Sequence, residues 1–527
     1  MFLLLMLASV AAPGSGELFS SMAHLQTALY TERDIAKEIR HYIYEERERL
    51  EKLGQLADEF EKHSAMALED PDKYMGNPVN AFLFVKHFTI DWDNDIDVVI
   101  KNNSRNELYR KVEGMREQLP TYEDLTGAVS ALLRLQDTYK LETTELARGN
   151  VGGVTSPELS AQDCFELGRL SYNNEDYYHT IMWMDEALAK VQEVEDDDEY
   201  DVNAVAVMDY LAFAHYKQGN VRRALTLTNE MLTLTPDHNR AQGNKEYYER
   251  VLREEDENAK RGDDGEVINK RQLDEYRSGE EYMAYEALCR NETIKPYKYQ
   301  HRLYCRYKSN NHPLLILSPA KEEVLYLNPY LSVFHNSISD REIKLIQRLA
   351  TPRLGRATVH NPITGKLETA NYRVSKSCWL SDYDSPDIAH INKRIAATTG
   401  LNMETAEELQ IANYGIGGQY EPHFDFARRR EPTAFERAIG NRIATFMFYL
   451  SDVQAGGATV FPYLGLKVFP EKGKAVFWYN LYKNGEGIYD TRHAACPVLV
   501  GSKWVTNKWI HERGQEFHRP CGLRESE

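Results

Sequence analysis

The runs ELQIANYG (408–415), RIATFMFYL (442–450), KAVFWYNL (474–481) and KWVTNKWI (503–510) decide the fold of the last third of this chain. Each is short, rich in β-branched and aromatic residues, and set off by glycines. That texture predicts antiparallel strands. It starts near Tyr326, with helical segments at its beginning such as SDREIKLIQRLA (339–350).

Between the first two runs lies QYEPHFDF (419–426). His423 and Asp425 are two residues apart in an extended segment, so their side chains point to one face of a strand. An imidazole and a carboxylate so placed form two legs of a facial triad, and a distant histidine must supply the third. Such a triad leaves one side of an octahedral iron(II) open, which suits non-haem iron oxygenases. The segment TRHAACPVLVGSKWVTNKWIHERG (491–514), expected on late strands of the same sheet, offers His493. Lys503 follows past the turn-like Val500-Gly501-Ser502, where an adjacent strand can aim its ammonium back into the pocket. A buried lysine needs an anionic partner, and the distal carboxylate of a dicarboxylate cosubstrate would be one. His-x-Asp alone is common in a chain with 16 histidines, and Lys503 alone reads as a surface strand residue. Together they point to one site.

At 527 residues the chain exceeds a single hydrophobic core, so two to four domains are expected. It is 42% hydrophobic and 27% charged, with no apolar run long enough to span a bilayer. A net charge of -18 argues against nucleic-acid binding, which needs an excess of Lys and Arg. The acidic surface would tolerate basic peptides, although ordinary solubility is the favoured account of it. The start, MFLLLMLASVAAPGSGE, pairs an apolar stretch with small residues and reads as a secretory signal peptide over residues 1–16, without the usual basic leader. Sequons at Asn102 and Asn291 agree with that reading. Six cysteines, widely spread, permit one or two bridges in an oxidising compartment.

From Leu25 to Phe60, apolar residues recur at spacings of three, four or seven among charges such as ERERLEKL (46–53). This predicts an amphipathic helix whose seam packs within its own domain or self-associates. A Gly-rich stretch, RGNVGGVTSPELS (148–160), precedes a weak internal repeat. Leu167-Gly168 with Ala187, then Leu211-Ala212 with Ala224 and Pro236, fit the tetratricopeptide pattern, and the acidic insert EVEDDDEYD (193–201) lengthens one loop. Tyr172, Tyr177, Tyr178, Tyr210, Phe213, Tyr216, Tyr247 and Tyr248 crowd this segment. Such spacing usually marks a core, yet a concave face lined with tyrosines also suits an extended proline-rich peptide. Residues 254–280 are charged and aperiodic, as in a linker.

The stretches NPITG, LET, YR and SKS (361–377), TAEELQIANYGIGGQYEPHFDFAR (405–428), GNRIATFMFYLSDVQAGGATVFP (440–462), FWYN (477–480) and HAACPVLVGSKWVTNKWIHERGQEF (493–517) resemble the catalytic domain of animal collagen prolyl 4-hydroxylase alpha subunits. The likeness extends more loosely to the helical N-terminus and the tyrosine-rich repeats. It implies a multidomain α + β chain: a signal peptide (1–16), a helical N-terminal dimerisation domain (17–146), a tetratricopeptide-like peptide-substrate-binding domain (147–255), a linker region (256–329) and a double-stranded β-helix (jelly-roll) oxygenase domain (330–522).

By the same resemblance His423, Asp425 and His493 hold Fe(II), and Lys503 binds the far carboxylate of 2-oxoglutarate. His511 assists cosubstrate binding or its decarboxylation, and Tyr414 lines the cosubstrate pocket. Tyr420, Trp509 and Arg442 border the peptide site. Tyr177, Tyr178, Tyr210, Phe213, Tyr216 and Tyr247 line the peptide groove, with Phe213 standing where the family has a tyrosine. The family's two bridges fall on Cys289–Cys305 and Cys496–Cys521, leaving Cys164 and Cys378 free. O2 and L-ascorbate are implied as co-reactants. Protein disulfide isomerase is implied as the beta subunit of an α2β2 tetramer in the endoplasmic reticulum lumen, the N-terminal helix joining the alpha subunits. The reaction implied is hydroxylation of peptidyl proline at C4 in collagen-like chains, coupled to oxidative decarboxylation of 2-oxoglutarate. A lysyl or prolyl 3-hydroxylase, or a non-catalytic collagen-peptide-binding subunit, is the alternative.

Overall fold

The computed structural model describes residues 17–69, 99, 104–116, 119–193, 202–258, 267–293, 298–360, 367–370, 372–429, 435, 438–522 and 524. The expected signal peptide, the sequon at Asn102 and most of the acidic insert lie outside them. The chain divides into two compact units, residues 24–121 and residues 122–527 together with 16–23. In the first, helix α1 (Met22–Leu68) and helix α2 (Ser104–Arg116) are tied by a 3.0 Å ion pair between Glu38 and Lys111. Leu29, Ile39, Ile43 and Leu50 of the predicted amphipathic seam are exposed.

The second unit opens with α3 (Tyr122–Tyr139) and a helical array: α4 (Ala161–Asn173), α5 (Tyr177–Glu193), α6 (Ala204–Lys217), α7 (Val221–Leu234) and α8 (Asn239–Asn258). Polar caps start these helices where the sequence changes texture. Ser160 and Asp163 form a reciprocal capping box on α4, and Asn203 and Asn220 cap α6 and α7. The small residues of the repeat pattern let the helices approach closely. A Cβ on Gly168 would come within 2.9 Å of Met184, and Ala187, Leu211, Ala212 and Ala224 are buried.

A further helix, α9 (Glu280–Cys289), leads into the β-domain. Its strands are β1 (Cys305–Lys308), β2 (Ala320–Leu327), β3 (Tyr330–His335), β4 (Gly355–Arg356), β5 (Ser375–Leu380), β6 (Leu409–Tyr414), β7 (Tyr420–His423), β8 (Arg442–Tyr449), β9 (Thr459–Phe461), β10 (Leu466–Val468), β11 (Ala475–Tyr479), β12 (His493–Ala495) and β13 (Trp504–His511). Among the described residues, one sheet runs β1-β2-β3-β11-β8-β13-β6-β5-β4, and a smaller one runs β7-β12-β9-β10; every pairing is antiparallel. Inner-face residues of both, including Ala412, Met447 and Val505 against Phe461, Val468 and Ala495, share one core. This sandwich is the expected double-stranded β-helix. Helices α10 (Asp340–Ala350) and α11 (Pro386–Thr399) contribute Ile343, Ile346, Ile388 and Ile391 to the core on the outer face of the large sheet.

Two expectations need correction. The stretch read as a linker (256–329) contains α9, β1 and β2, which extend the large sheet. Charge hides these strands in the sequence: the buried Glu322 is paired with Arg306 (2.6 Å), Lys308 (3.2 Å) and the Tyr330 hydroxyl (2.8 Å). The bridges implied for Cys289–Cys305 and Cys496–Cys521 are also not those observed. Cys289 is bonded to Cys496, while Cys305 and Cys521 are exposed free thiols. The cause is packing. Tyr282, Tyr285 and Leu288 of α9 sit with Ala458, Val460 and Ala494 in one apolar cluster, which sets Cys289 against Cys496. Cys164 and Cys378 are free and buried, as expected.

Candidate metal and cosubstrate site

His423 ends β7 and His493 opens β12, and the two are direct register partners across that antiparallel pair. Asp425 lies just beyond the strand end. Its Oδ1 is 3.7 Å from His423 Nε2 and its Oδ2 3.7 Å from His493 Nε2. The three donor atoms all fall within 4.8 Å of one another. Each imidazole is oriented by a backbone carbonyl: Nδ1 of His423 is 2.9 Å from Glu421 O, and Nδ1 of His493 is 3.0 Å from Thr491 O. Donation through Nδ1 leaves Nε2 bare and pointing at the carboxylate, which is the tautomer a metal requires. The Tyr420 ring stacks on His423 at 3.5 Å, and Trp478 meets His493 edge-on at 4.7 Å.

Electrostatics agree with a ligand set. Burial drives the His423 imidazole well below its ordinary pKa, so it stays neutral. Burial works to raise Asp425, but His493, Arg442 and the Thr445 hydrogen bond outweigh it and keep the carboxylate ionised. Thr445 adds a 2.7 Å hydrogen bond to Asp425 Oδ2 and accepts one from Asn480 at 2.9 Å.

Lys503 stands just before β13, in the sheet opposite the two histidines rather than the same one. It lines one cavity with His423, Asp425, His493, Arg373 and Tyr414. The ammonium is fully buried, lies 4.8 Å from the Tyr414 ring centroid and has no hydrogen-bond partner among the described residues. Burial pushes its pKa down to about 7. A lysine left this way inside a protein is completed by an anion. The bare imidazole nitrogens, the adjacent carboxylate and the orphaned ammonium therefore fit a ferrous ion with a dicarboxylate.

The remaining predicted residues divide. Arg442 and Trp509 lie beside the triad: the guanidinium lies 3.9 Å over the indole, pairs with Glu407 at 2.8 Å and reaches Asp425 O at 3.4 Å. His511 is fully buried, with Nδ1 2.7 Å from Gly440 O and Nε2 2.9 Å from Glu407, outside the cavity lining. In the helical array Tyr177, Tyr210, Phe213 and Tyr216 join Tyr172 in a row of contacting rings, continued to Tyr247 by a 2.7 Å hydroxyl contact with Tyr216. Tyr178 leaves that row and packs on His179. Asn291 is exposed in the left-handed conformation, and its carbonyl accepts from Lys467 at 2.6 Å.

Sequence reasoning missed Glu407, Arg373 and Thr445. Arg373 is buried, with one Nη bonded to Gln410 at 3.1 Å and its guanidinium 4.9 Å from the Tyr420 ring. Thr445 carried a usable signal, being the single aliphatic hydroxyl within the apolar run RIATFMFYL.

A facial pair of histidines with an aspartate, beside a buried lysine within a double-stranded β-helix, defines an iron(II)- and 2-oxoglutarate-dependent oxygenase. Three family models match the chain. They are the prolyl 4-hydroxylase alpha-subunit N-terminal region over residues 21–153, the prolyl 4-hydroxylase peptide-substrate-binding domain over 161–254, and the 2OG-Fe(II) oxygenase superfamily over 409–511. The chain is 48% identical to prolyl 4-hydroxylase subunit alpha-1 of Homo sapiens, covering 98% of this chain and 97% of that protein. It is 47% identical to the Caenorhabditis elegans subunit alpha-1, covering 97% and 91%. A solved viral collagen prolyl hydroxylase of Paramecium Bursaria Chlorella virus-1 aligns at 24% identity and a TM-score of 0.28, covering 34% of this chain and 95% of that one. This chain belongs to the prolyl 4-hydroxylase alpha-subunit family.

Proposed function

We propose that this chain hydroxylates peptidyl proline at C4 in collagen-like, proline-rich chains, coupled to oxidative decarboxylation of 2-oxoglutarate to succinate. The observation that carries this reading is the unpartnered, buried Lys503 ammonium in the same cavity as His423, Asp425 and His493, in a chain of this family.

His423, Asp425 and His493 would hold iron(II), and Lys503 would take the far carboxylate of 2-oxoglutarate. When bound, the metal with its cosubstrate supplies the oxidising chemistry that breaks an unactivated C–H bond. The chain's own part is placement. Carbonyls of Glu421 and Thr491 orient the two imidazoles, and Thr445 fixes the carboxylate. Tyr414 and Trp478 help enclose the cavity, which excludes water from the reacting centre. Arg442, clamped by Glu407 and stacked on Trp509, borders the side from which peptide would enter, with Tyr420 on the His423 face. His511 acts through Glu407 on that clamp.

Residues 147–255 would grip the proline-rich chain along the Tyr177, Tyr210, Phe213, Tyr216 and Tyr247 row, away from the chemistry in residues 330–522. Residues 17–146 would mediate dimerisation, with protein disulfide isomerase completing an α2β2 tetramer in the endoplasmic reticulum lumen and ascorbate restoring iron(II). Among the described residues no helix is long and apolar enough to cross a membrane.

The test is the full chain produced with protein disulfide isomerase, given iron(II), 2-oxoglutarate, O2, ascorbate and a (Pro-Pro-Gly) peptide. The expected product is 4-hydroxyproline with an equivalent of succinate. 3-Hydroxyproline, or no product at all, overturns the proposal.

A further inference from the structure

Residues 17–23, which show no periodic pattern in the sequence, run as a strap across the end of the large sheet. The backbone N–H groups of Leu18 and Phe19 both donate to the buried Asp124 carboxylate on α3, the latter at 3.0 Å. The Phe19 carbonyl accepts from Ile416 N–H at 3.0 Å. Two glycines make room. A Cβ on Gly415 would sit 1.9 Å from Phe19 O, and one on Gly127 would sit 2.3 Å from the Phe19 ring. Ser20 and Ser21 of the strap are fully buried.

The strap ends on Asn413, a fully buried residue of β6. Asn413 Oδ1 accepts from the Ser21 hydroxyl at 2.8 Å and from Ala23 N–H at 3.1 Å. Its Nδ2 donates in the opposite direction, to the carbonyl of Lys503 at 3.3 Å and the Ser502 hydroxyl at 3.4 Å. The next residue's N–H, that of Tyr414, donates to the same Lys503 carbonyl at 3.1 Å. The turn that follows, Gly415–Gly418, joins β6 to the iron-ligand strand β7 and is pinned on its other side by Arg134, whose Nη1 donates to Gly417 O at 2.7 Å. The strap thus contacts the backbone that aims Lys503, without entering the cavity.

We infer that the 17–23 strap positions Lys503 for 2-oxoglutarate, through the chain Ser21–Asn413–Lys503. This rests on the assignment of Lys503 as the carboxylate anchor. Losing the strap would leave Asn413 Oδ1 buried without a donor. The amide would then be free to reorient, loosening the Lys503 carbonyl and with it the lysine's aim. Ser21 and Asn413 are positioning residues, and their effect falls on cosubstrate affinity rather than on peptide binding.

Two variants test this in the full chain produced with protein disulfide isomerase. Ser21→Ala removes one donor to Asn413. Gly127→Ala improves helix propensity in α3, yet its methyl group collides with Phe19, so any defect comes from the strap. Three quantities are read: affinity for N-oxalylglycine, an unreactive 2-oxoglutarate analogue, with the metal present; affinity for a (Pro-Pro-Gly) peptide; and hydrogen exchange at the Ile416 amide. The expectation is a three- to tenfold loss of analogue affinity in both variants, unchanged peptide affinity and faster exchange at Ile416. Ser21→Thr, which keeps the hydroxyl, restores much of the affinity. Unchanged analogue affinity overturns the inference, whether Ile416 exchanges faster or stays protected. An equal loss of peptide affinity overturns it as well. Lys503→Ala separates the two readings: if it too leaves analogue affinity intact, the anchor assignment has failed; if it alone weakens binding, only the strap's role has.

Discussion

The hydroxyl of Thr445 donates a 2.7 Å hydrogen bond to Oδ2 of Asp425 and is itself held by Asn480. Its carboxylate partner is the one acidic member of the proposed metal set, so the threonine fixes which way that oxygen faces. Thr445→Val keeps the volume but strands both neighbours in a buried site. Iron(II) affinity should fall about 10- to 100-fold, with a stability loss of about 1–3 kcal/mol, and Thr445→Ser should recover most of both. Anaerobic metal titration by calorimetry reads this directly. Unchanged affinity in Thr445→Val would mean that Asp425 needs no such support.

His423 and His493 face each other across β7 and β12, while the aromatic row lies on α4 to α8. His423→Ala or His493→Ala is expected to abolish turnover and leave (Pro-Pro-Gly) affinity within about twofold, since the mutations touch none of the residues of the helical array proposed to grip the peptide. Peptide binding measured beside succinate release makes the comparison. A parallel loss of both would contradict the proposed division of labour.

The metal set was legible in the sequence because strand geometry turns a two-residue spacing into a shared face, and because a glycine-marked turn separates His493 from Lys503. What strands share which sheet was not legible: His493 pairs with His423 in the small sheet, while Lys503 precedes β13 in the large one. The repeats showed through Gly168, Ala187 and Ala212, where small size is what packing demands. Strands β1 and β2 did not, since Glu322, Arg306 and Lys308 satisfy one another when buried and read as a solvated stretch. The partner of Cys289 depended on how α9 docks, a contact with no local signature. The same holds for Glu407, which gains meaning only once Arg442 and His511 converge on it, and for the strap, whose contacts run largely through backbone groups.

Lys503 makes cosubstrate binding depend on pH in a fixed direction. Burial holds its pKa at about 7 in the free protein, and a bound carboxylate would stabilise the ammonium and raise that value. Below about 7 the charged form is already present, and affinity for 2-oxoglutarate should be flat. Above it, each pH unit should weaken binding by about tenfold, with uptake of about one proton per cosubstrate. Calorimetry in two buffers of different ionisation enthalpy at pH 6 and pH 8 measures the proton count. Zero uptake at both would place the anchoring charge elsewhere.

A second buried cation sits where α3 meets the helical array. His179 is 3% exposed, with Nδ1 2.7 Å from Asp176 and Nε2 3.2 Å from Asp137. Asp137 also pairs with Arg271 at 2.8 Å, which reaches Glu286 on α9 at 2.9 Å. Burial alone would lower the imidazole's pKa, but the two aspartates prevail and raise it from 6.5 to about 9. A raised histidine stabilises the fold fully below its unfolded value of about 6.5, and that contribution is lost as pH rises through about 9. The shift corresponds to stabilisation on the order of 3 kcal/mol. Denaturation of wild type and His179→Gln should therefore show a wide stability gap at pH 6 that narrows by pH 9.5. The narrowing comes from the wild type, because the glutamine variant has no proton to lose there. A gap that stayed constant across this range would show that His179 contributes by packing, with its charge playing no part.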